Sequence, residues 1–237
     1  MRGFEYYPEF IETDTRELIE IENENIRHSL ILDDILEGAS ILDMGSMMCA
    51  SGAYALMNGA EYYEGVDVVK TIHDNAEKCM KEYFPSEVYS IHNLLFLDYF
   101  KKYNDSFDIV LLMNMFYYID DQRLFLEEVA KRSKKYIVIE SPTIHPVVDS
   151  EIPTVVYKGR SEVRKNKKWK DTRGIPRLTG FEEKVYCKLP NLAYFKLVLS
   201  MYGFKYLKDY HEYSIRMLPN RYNEENRFLA VFERIEE

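Results

Sequence analysis

Residues Ile41–Gly52, ILDMGSMMCASG, set a carboxylate and a glycine, Asp43 and Gly45, directly after an apolar run. A buried strand that ends this way opens a ligand-binding loop, because loops beyond the carboxyl ends of parallel strands converge and the following helix aims free backbone N–H groups at what binds there. The dinucleotide fingerprint GxGxxG, laid from Gly45, fails in two of three places, since Met47 and Ala50 stand where glycines are required. Cys49 has nothing near it in sequence that would lower its pKa, so it reads as a buried structural thiol rather than a nucleophile. Farther along, NMFYYI brings Asn114, Tyr117 and Tyr118 to the end of another apolar run, as site residues or as aromatics packed beneath the next helix. In ESPTIHP, His145 is a candidate general base, since a near-neutral imidazole can take a proton from an alcohol at pH 7; a solvated loop histidine is the alternative, and Glu140 competes for the role. His28, His73, His92 and His211 show no partner in the sequence.

The elements that must position these residues alternate. SILDM, YEGVD, VYSIH, FDIVLLM and KYIVIE read as strands with helices between them, and the unbroken apolar run Ile109–Met113 suits a parallel strand buried on both faces. The helix in DDQRLFLEEVAKRS takes Asp120 or Asp121 as its N-cap. Residues 12–37 read as a long or broken amphipathic helix carrying Leu18, Ile21, Ile26, Leu30 and Ile31. After Glu140 the rhythm breaks: from Ser141 to Pro190 no period is strong and prolines recur, the mark of an insertion or lid. Regularity returns with a helix capped by Asn191 and stopped by Gly203, followed by strands in FKYLKDY and RFLAVFERI. The sum is an α/β, doubly wound, mostly parallel sheet of seven strands. We read residues 1–237 as a single domain: a helical cover over 1–37, a ligand-binding half over 38–141, the insertion over 142–190, and a C-terminal helix with the last two strands over 191–237.

From ILDMG onward the chain resembles the class I family of S-adenosylmethionine-dependent methyltransferases, whose Rossmann-like fold opens with D-x-G-x-G-x-G. Asp43 and Gly45 are kept, while Met47 and Cys49 replace the second and third glycines without a gap. Those residues must either take ordinary dihedrals or push a cofactor outward, since glycine is what permits positive φ and close backbone approach. MNGAEYYEGVDVV resembles the family's helix end and second strand, and LLFLDYFKKYNDSFDIVLLMNMFYYIDD its adenine-side acid and fourth strand. The resemblance implies S-adenosyl-L-methionine as cofactor, with S-adenosyl-L-homocysteine as product, held by Asp43, Gly45, Ser46, Met47, Asp67, Val68, Phe96, Asp98, Met113 and Asn114. Asp67 falls where an acid grips the ribose hydroxyls, a task suited to a carboxylate because it accepts both protons at once. Asp98 falls near the adenine, though its offset is short and Phe96 or Asn93 is the alternative neighbour. Tyr117, Glu140 and His145 would face the methyl acceptor. Within the family, ALMNGAEYYEGVDVV, MNMFYYI and LPNLAYFKLVLSMYGFKYLKDY look most like the bacterial tRNA wobble-uridine carboxymethyltransferase group.

Composition narrows the partners. The formal charge of −9 argues against a protein that coats nucleic acid, yet Lys158–Arg173 holds eight basic and two acidic residues, a local +6 that leaves −15 elsewhere. With Trp169 in it, this segment is either a clamp for an anionic acceptor, whose test residues are Arg160, Arg164 and Arg177, or a solvated loop. Three widely spaced cysteines form neither a disulfide framework nor a metal cluster, no long apolar run suits a membrane, and MRGFEYYPEF lacks a signal peptide's apolar core, so a cytoplasmic protein without a metal is expected. The first reading is therefore methyl transfer to an oxygen, or secondarily a nitrogen, of a small or glycan-like acceptor, anionic or phosphorylated. A tRNA-modifying transferase is the second, and a non-catalytic subunit that keeps the fold is the third.

Overall fold

In the computed structural model, which describes residues 32–143, 152–159, 186–209 and 226–236, every apolar run singled out above becomes a strand. The strands are β1 (Ser40–Met44), β2 (Tyr62–Asp67), β3 (Tyr89–Asn93), β4 (Phe107–Met113), β5 (Ser133–Thr143), β6 (Val155–Gly159), β7 (Tyr186–Pro190), β8 (Phe204–Asp209) and β9 (Asn226–Arg234). The helices are α1 (Ala50–Met57), α2 (Lys70–Tyr83), α3 (Phe96–Lys102), α4 (Gln122–Arg132) and α5 (Leu192–Ser200), with 3-10 turns at Ser86–Val88 and Phe116–Tyr118. Seven strands form one sheet in the order β3-β2-β1-β4-β5-β9-β8, while β6 and β7 pair by themselves.

The described chain divides into two compact units, up to Leu111 and from Leu112 onward. In the first, β1 pairs in parallel with both β2 and β4, and β2 with β3; in register, Asp43 stands beside Gly65 and Asp67 beside Asn93. Ile41, Leu42, Ile109, Val110 and Leu111 are buried, as expected for central parallel strands covered on both faces. The α2 helix buries Ile72, Ala76 and Met80, a spacing of four that keeps one stripe on the sheet. Of the N-terminal helix expected over 12–37, only Leu32–Glu37 falls among the described residues, with Leu32 and Leu36 buried.

In the second unit β5 and β8 both run antiparallel to β9. Asp121 caps α4, its Oδ1 accepting the Leu124 N–H at 3.0 Å, and Asn191 caps α5 by accepting from Tyr194 at 3.0 Å. Gly203, at φ 80°, turns the chain out of α5 into β8. Phe116, Phe125, Phe195 and Phe228 form a buried aromatic cluster with centroid separations of 4.8–6.0 Å.

The segment without a strong period contains regular structure after all. β5 continues past Pro142 to Thr143, and β6 and β7 pair antiparallel within the stretch expected to be irregular. Five-residue strands are too short to establish a period against the prolines around them. Their base is pinned by two buried amides. Asn191 accepts from the Thr154 N–H and donates to Ile152 O, and Gln122 Nε2 donates to Phe116 O and Lys188 O. The basic run beyond Gly159, with Trp169, and also His145 and His211, lies outside the described residues.

Candidate functional site

The loop after β1 carries the local chemistry of the first unit. Gly45, Met47 and Cys49 have φ of 87°, 45° and 62°, so alternate residues sit in the left-handed region although only the first is glycine. Met47 and Cys49 therefore do not take ordinary dihedrals; they reproduce the backbone that D-x-G-x-G-x-G glycines would allow. For residues with a Cβ this costs about 1–2 kcal/mol each. Hydrogen bonds hold the shape: Gly45 and Ser46 N–H donate to Val66 O, Met47 N–H to Asp67 Oδ2 at 3.0 Å, and Cys49 N–H to Ser46 O at 2.8 Å. Met47 leaves its side chain 40% exposed and so gains little by packing. Replacing it by glycine, Met47→Gly, is expected to raise unfolding free energy by about 0.5–1 kcal/mol, strain relief exceeding glycine's entropic cost, as read from urea denaturation.

Three carboxyl or thiol groups surround this loop. Asp43 is buried at the end of β1 and accepts the Tyr63 hydroxyl at 3.0 Å. Asp67 ends β2, its Oδ1 accepting Val69 N–H at 2.8 Å and its Oδ2 accepting Met47 N–H. Burial pushes the Asp67 carboxyl above its usual range against the pull of the Val69, Met47 and Val68 N–H groups. The Met47 and Val69 N–H groups take two of roughly four lone-pair positions on that carboxylate and the Val68 N–H also draws on it, which leaves the remaining capacity for ribose hydroxyls. Cys49 is fully buried, and burial lifts its thiol to about 12, offset in part by the Tyr63 hydroxyl and reinforced by Asp43. A thiol so held is not a nucleophile near neutral pH.

Of the residues weighed for the adenine, Asn93 lies beside Asp67, its Nδ2 donating to Asp67 O at 3.0 Å. Phe96 opens α3 half-buried, whereas Asp98 is exposed and pairs with Lys101 at 2.8 Å. Val68 is half-buried after Asp67.

A second polar group occupies the alternate side chains of β2. Glu64 accepts from Tyr99 OH at 2.7 Å and bonds His92 Nε2 at 2.9 Å, and His92 stacks on Tyr103 at 4.7 Å. The histidine with no visible partner in sequence thus has one 28 residues away, across the β2–β3 pairing. Burial pushes the Glu64 carboxyl up, but the bonds from His92 and Tyr99 outweigh it and hold the group below its usual value. A depressed carboxyl stabilises the fold above its unfolded pKa and loses that contribution as pH falls through the folded value. Glu64→Gln is therefore expected to lower the urea midpoint at pH 7, and this deficit to shrink below about pH 4.

In the second unit, Met113 is half-buried at the end of β4, and Asn114, at φ 58°, donates its N–H to Glu140 O at 2.9 Å. Asparagine is among the few residues that tolerate this left-handed geometry, and such strain concentrates at functional positions. Tyr117 lies half-buried in the 3-10 turn with its ring 4.3 Å from that of Tyr118, and Glu140 is buried on β5. The structure thus brings Asn114 and Glu140 together through the backbone. Among the described residues no group of histidine, cysteine and carboxylate side chains is arranged to hold a metal ion, and no helix is long and apolar enough to cross a membrane.

Tyr63, Glu64 and Gln122 were not singled out by the sequence. Period-two alternation does put Tyr63 on the same side of β2 as Asp67, and a glutamate inside YYEGVD was a visible signal of a buried polar partner.

No protein-family model matches the chain, and no curated protein matches it. Solved structures do. An S-adenosylmethionine-dependent methyltransferase from Mesorhizobium loti matches at TM-score 0.63 and 15% identity, covering 91% of this chain and all of that one, 100%. Magnesium protoporphyrin IX methyltransferase from Synechocystis PCC 6803, with bound SAH, matches at TM-score 0.61 and 10% identity over 96% of this chain and 91% of that one. A [4+2]-cyclase, SpnF, matches at TM-score 0.62 and 11% identity over 92% and 82%. The fold is that of the class I S-adenosylmethionine-dependent methyltransferases.

Proposed function

We propose that this protein is an S-adenosylmethionine-dependent methyltransferase in which the whole chain works as one methyltransferase domain. The observation that carries the reading is the backbone of the loop after β1: left-handed at residues 45, 47 and 49, with Asp67 fixed at the end of the neighbouring strand. A chain that tolerates two strained side-chain-bearing residues to keep a glycine-loop shape has a use for that shape, since strain of this kind concentrates at functional sites. Asp43, Gly45, Ser46, Met47, Asp67 and Val68 would hold the cofactor, with Asn93 and Phe96 nearer the adenine than Asp98. Fold alone would not decide the matter, because one neighbour of the same fold carries the name of a cyclase.

The bound cofactor supplies an electrophilic methyl group on a sulfonium. What remains for the protein is to align an acceptor atom and, where its pKa is high, to take its proton. For the acceptor we propose an oxygen of a small or glycan-like molecule, with Glu140 the buried carboxylate that receives the proton and Asn114 and Tyr117 orienting the acceptor; His145 is the competing base. The basic run Lys158–Arg173 favours an anionic acceptor.

The test is calorimetric titration of the purified protein with S-adenosylmethionine and, separately, S-adenosylhomocysteine. Micromolar binding is expected. Folded protein, cleared of carried-over cofactor, that binds neither ligand would overturn the proposal.

A further inference from the structure

Two residues of the loop occupy glycine conformations, and something other than glycine must hold them there. Beneath the loop stands Tyr63, fully buried on β2. Its hydroxyl donates to Asp43 Oδ2 at 3.0 Å, and the buried Cys49 thiol is near enough for the two groups to influence each other's titration. The ring lies against Gly52, where a Cβ would stand 2.4 Å from its edge, and the hydroxyl lies 3.0 Å from where a Gly65 Cβ would be. Tyr63 thus meets the end of β1 and the first turn of α1, the two points between which the loop is strung.

We infer that Tyr63 is a positioning residue that replaces the missing glycines, seating its ring on the first turn of α1 and aiming Asp43 through its hydroxyl, so that the loop strung between them is held in its left-handed, cofactor-ready backbone. The part of this inference that concerns the ligand rests on the methyltransferase reading; the part that concerns the loop stands without it. Loop glycines make the same geometry cheap, whereas here a buried aromatic hydroxyl makes it specific.

The experiment compares wild type with Tyr63→Phe, which keeps the ring on Gly52 and removes only the hydroxyl. Amide hydrogen exchange is followed for Ser46–Ala50 and thiol labelling is resolved at Cys49, both without ligand; S-adenosylhomocysteine affinity is then measured in wild type, Tyr63→Phe, Asp43→Asn and the double variant. Exchange and labelling are expected to accelerate about tenfold in Tyr63→Phe, and the dissociation constant to rise about tenfold, the scale of one lost hydrogen bond to a charged group. If Tyr63 acts through Asp43, the double variant binds no more weakly than Asp43→Asn alone. Unchanged loop exchange in Tyr63→Phe, or losses that simply add in the double variant, would overturn the inference. Wild-type protein that ignores the ligand, while Tyr63→Phe still loosens the loop, would overturn the methyltransferase reading and uphold the clamp. Should Tyr63→Phe fail to fold, Asp43→Ala removes the acceptor of the same hydrogen bond from the other side, with loop exchange read to the same two outcomes.

Discussion

Asp67→Ala is expected to weaken S-adenosylhomocysteine binding by about a hundredfold or more. A ribose presents two vicinal hydroxyls, and hydrogen bonds to a charged acceptor contribute about 1.5–3 kcal/mol each, so losing the pair exceeds the ~2.7 kcal/mol that a hundredfold represents. The substitution also removes the acceptor of the Met47 and Val69 N–H groups, and with it a restraint on a loop already strained at Met47. Asp67→Asn, which keeps one acceptor oxygen, should fall between, near tenfold. Acidification separates this reading from a general loss of structure. The free Asp67 carboxyl is pushed up by burial, so cofactor affinity should begin to fall at a higher pH than an ordinary aspartate would dictate. The linkage runs the other way for the fold itself. A carboxyl with a raised folded pKa contributes stability below its unfolded value and loses it as pH rises through the folded one. Asp67 therefore makes the free protein no less stable on mild acidification while making it a poorer binder. Calorimetric titrations of wild type and both variants between pH 7 and 5 check this; equal affinities for wild type and Asp67→Ala would remove Asp67 from the site.

The same residues show how far the sequence carries. SILDM and FDIVLLM are strands with the bounds their residues suggest, because a short apolar run bounded by polar turn residues admits few other structures. Asp121 and Asn191 cap their helices because a short polar side chain before an amphipathic run accepts the free N–H groups there. The loop was only half legible. Residue types show that Met47 and Cys49 replace glycines, yet whether the backbone bends to the side chains or the reverse depends on Tyr63 and Asp67, both supplied by the neighbouring strand. The bond between His92 and Glu64 was likewise hidden, since only the parallel register of β2 and β3 brings them together. Asp98, suggested by the resemblance despite its short offset, stands on an exposed turn of α3 beside Lys101, a placement that spacing along the chain does not reveal.

Gly52→Ala should be strongly destabilising, against the ordinary trend for helices. Alanine is favoured over glycine within a helix by about 1 kcal/mol, so propensity alone predicts a more stable protein. At this position the added Cβ would stand 2.4 Å from both Cε1 and Cζ of Tyr63 and 2.6 Å from Cδ1, distances that real side chains do not show. The ring has little freedom to yield, because it is fully buried and its hydroxyl is tied to Asp43. Either the ring or α1 must shift, and overpacking of this kind costs about 1–3 kcal/mol, occasionally more. Since the helix preference must first be overcome, we expect a net loss near 2 kcal/mol, seen as a fall in Tm of roughly 4–8 °C for a chain of this size. Shrinking the opposing side chain should recover part of the loss, so Gly52→Ala combined with Tyr63→Leu should lose less than the sum of the two single variants. Displacing the ring would also disturb Cys49 and Asp43, so the single variant should bind S-adenosylhomocysteine more weakly at temperatures where it remains folded. A Gly52→Ala protein more stable than wild type would mean that Tyr63 does not press on α1, and the packing that holds the loop would have to be sought elsewhere.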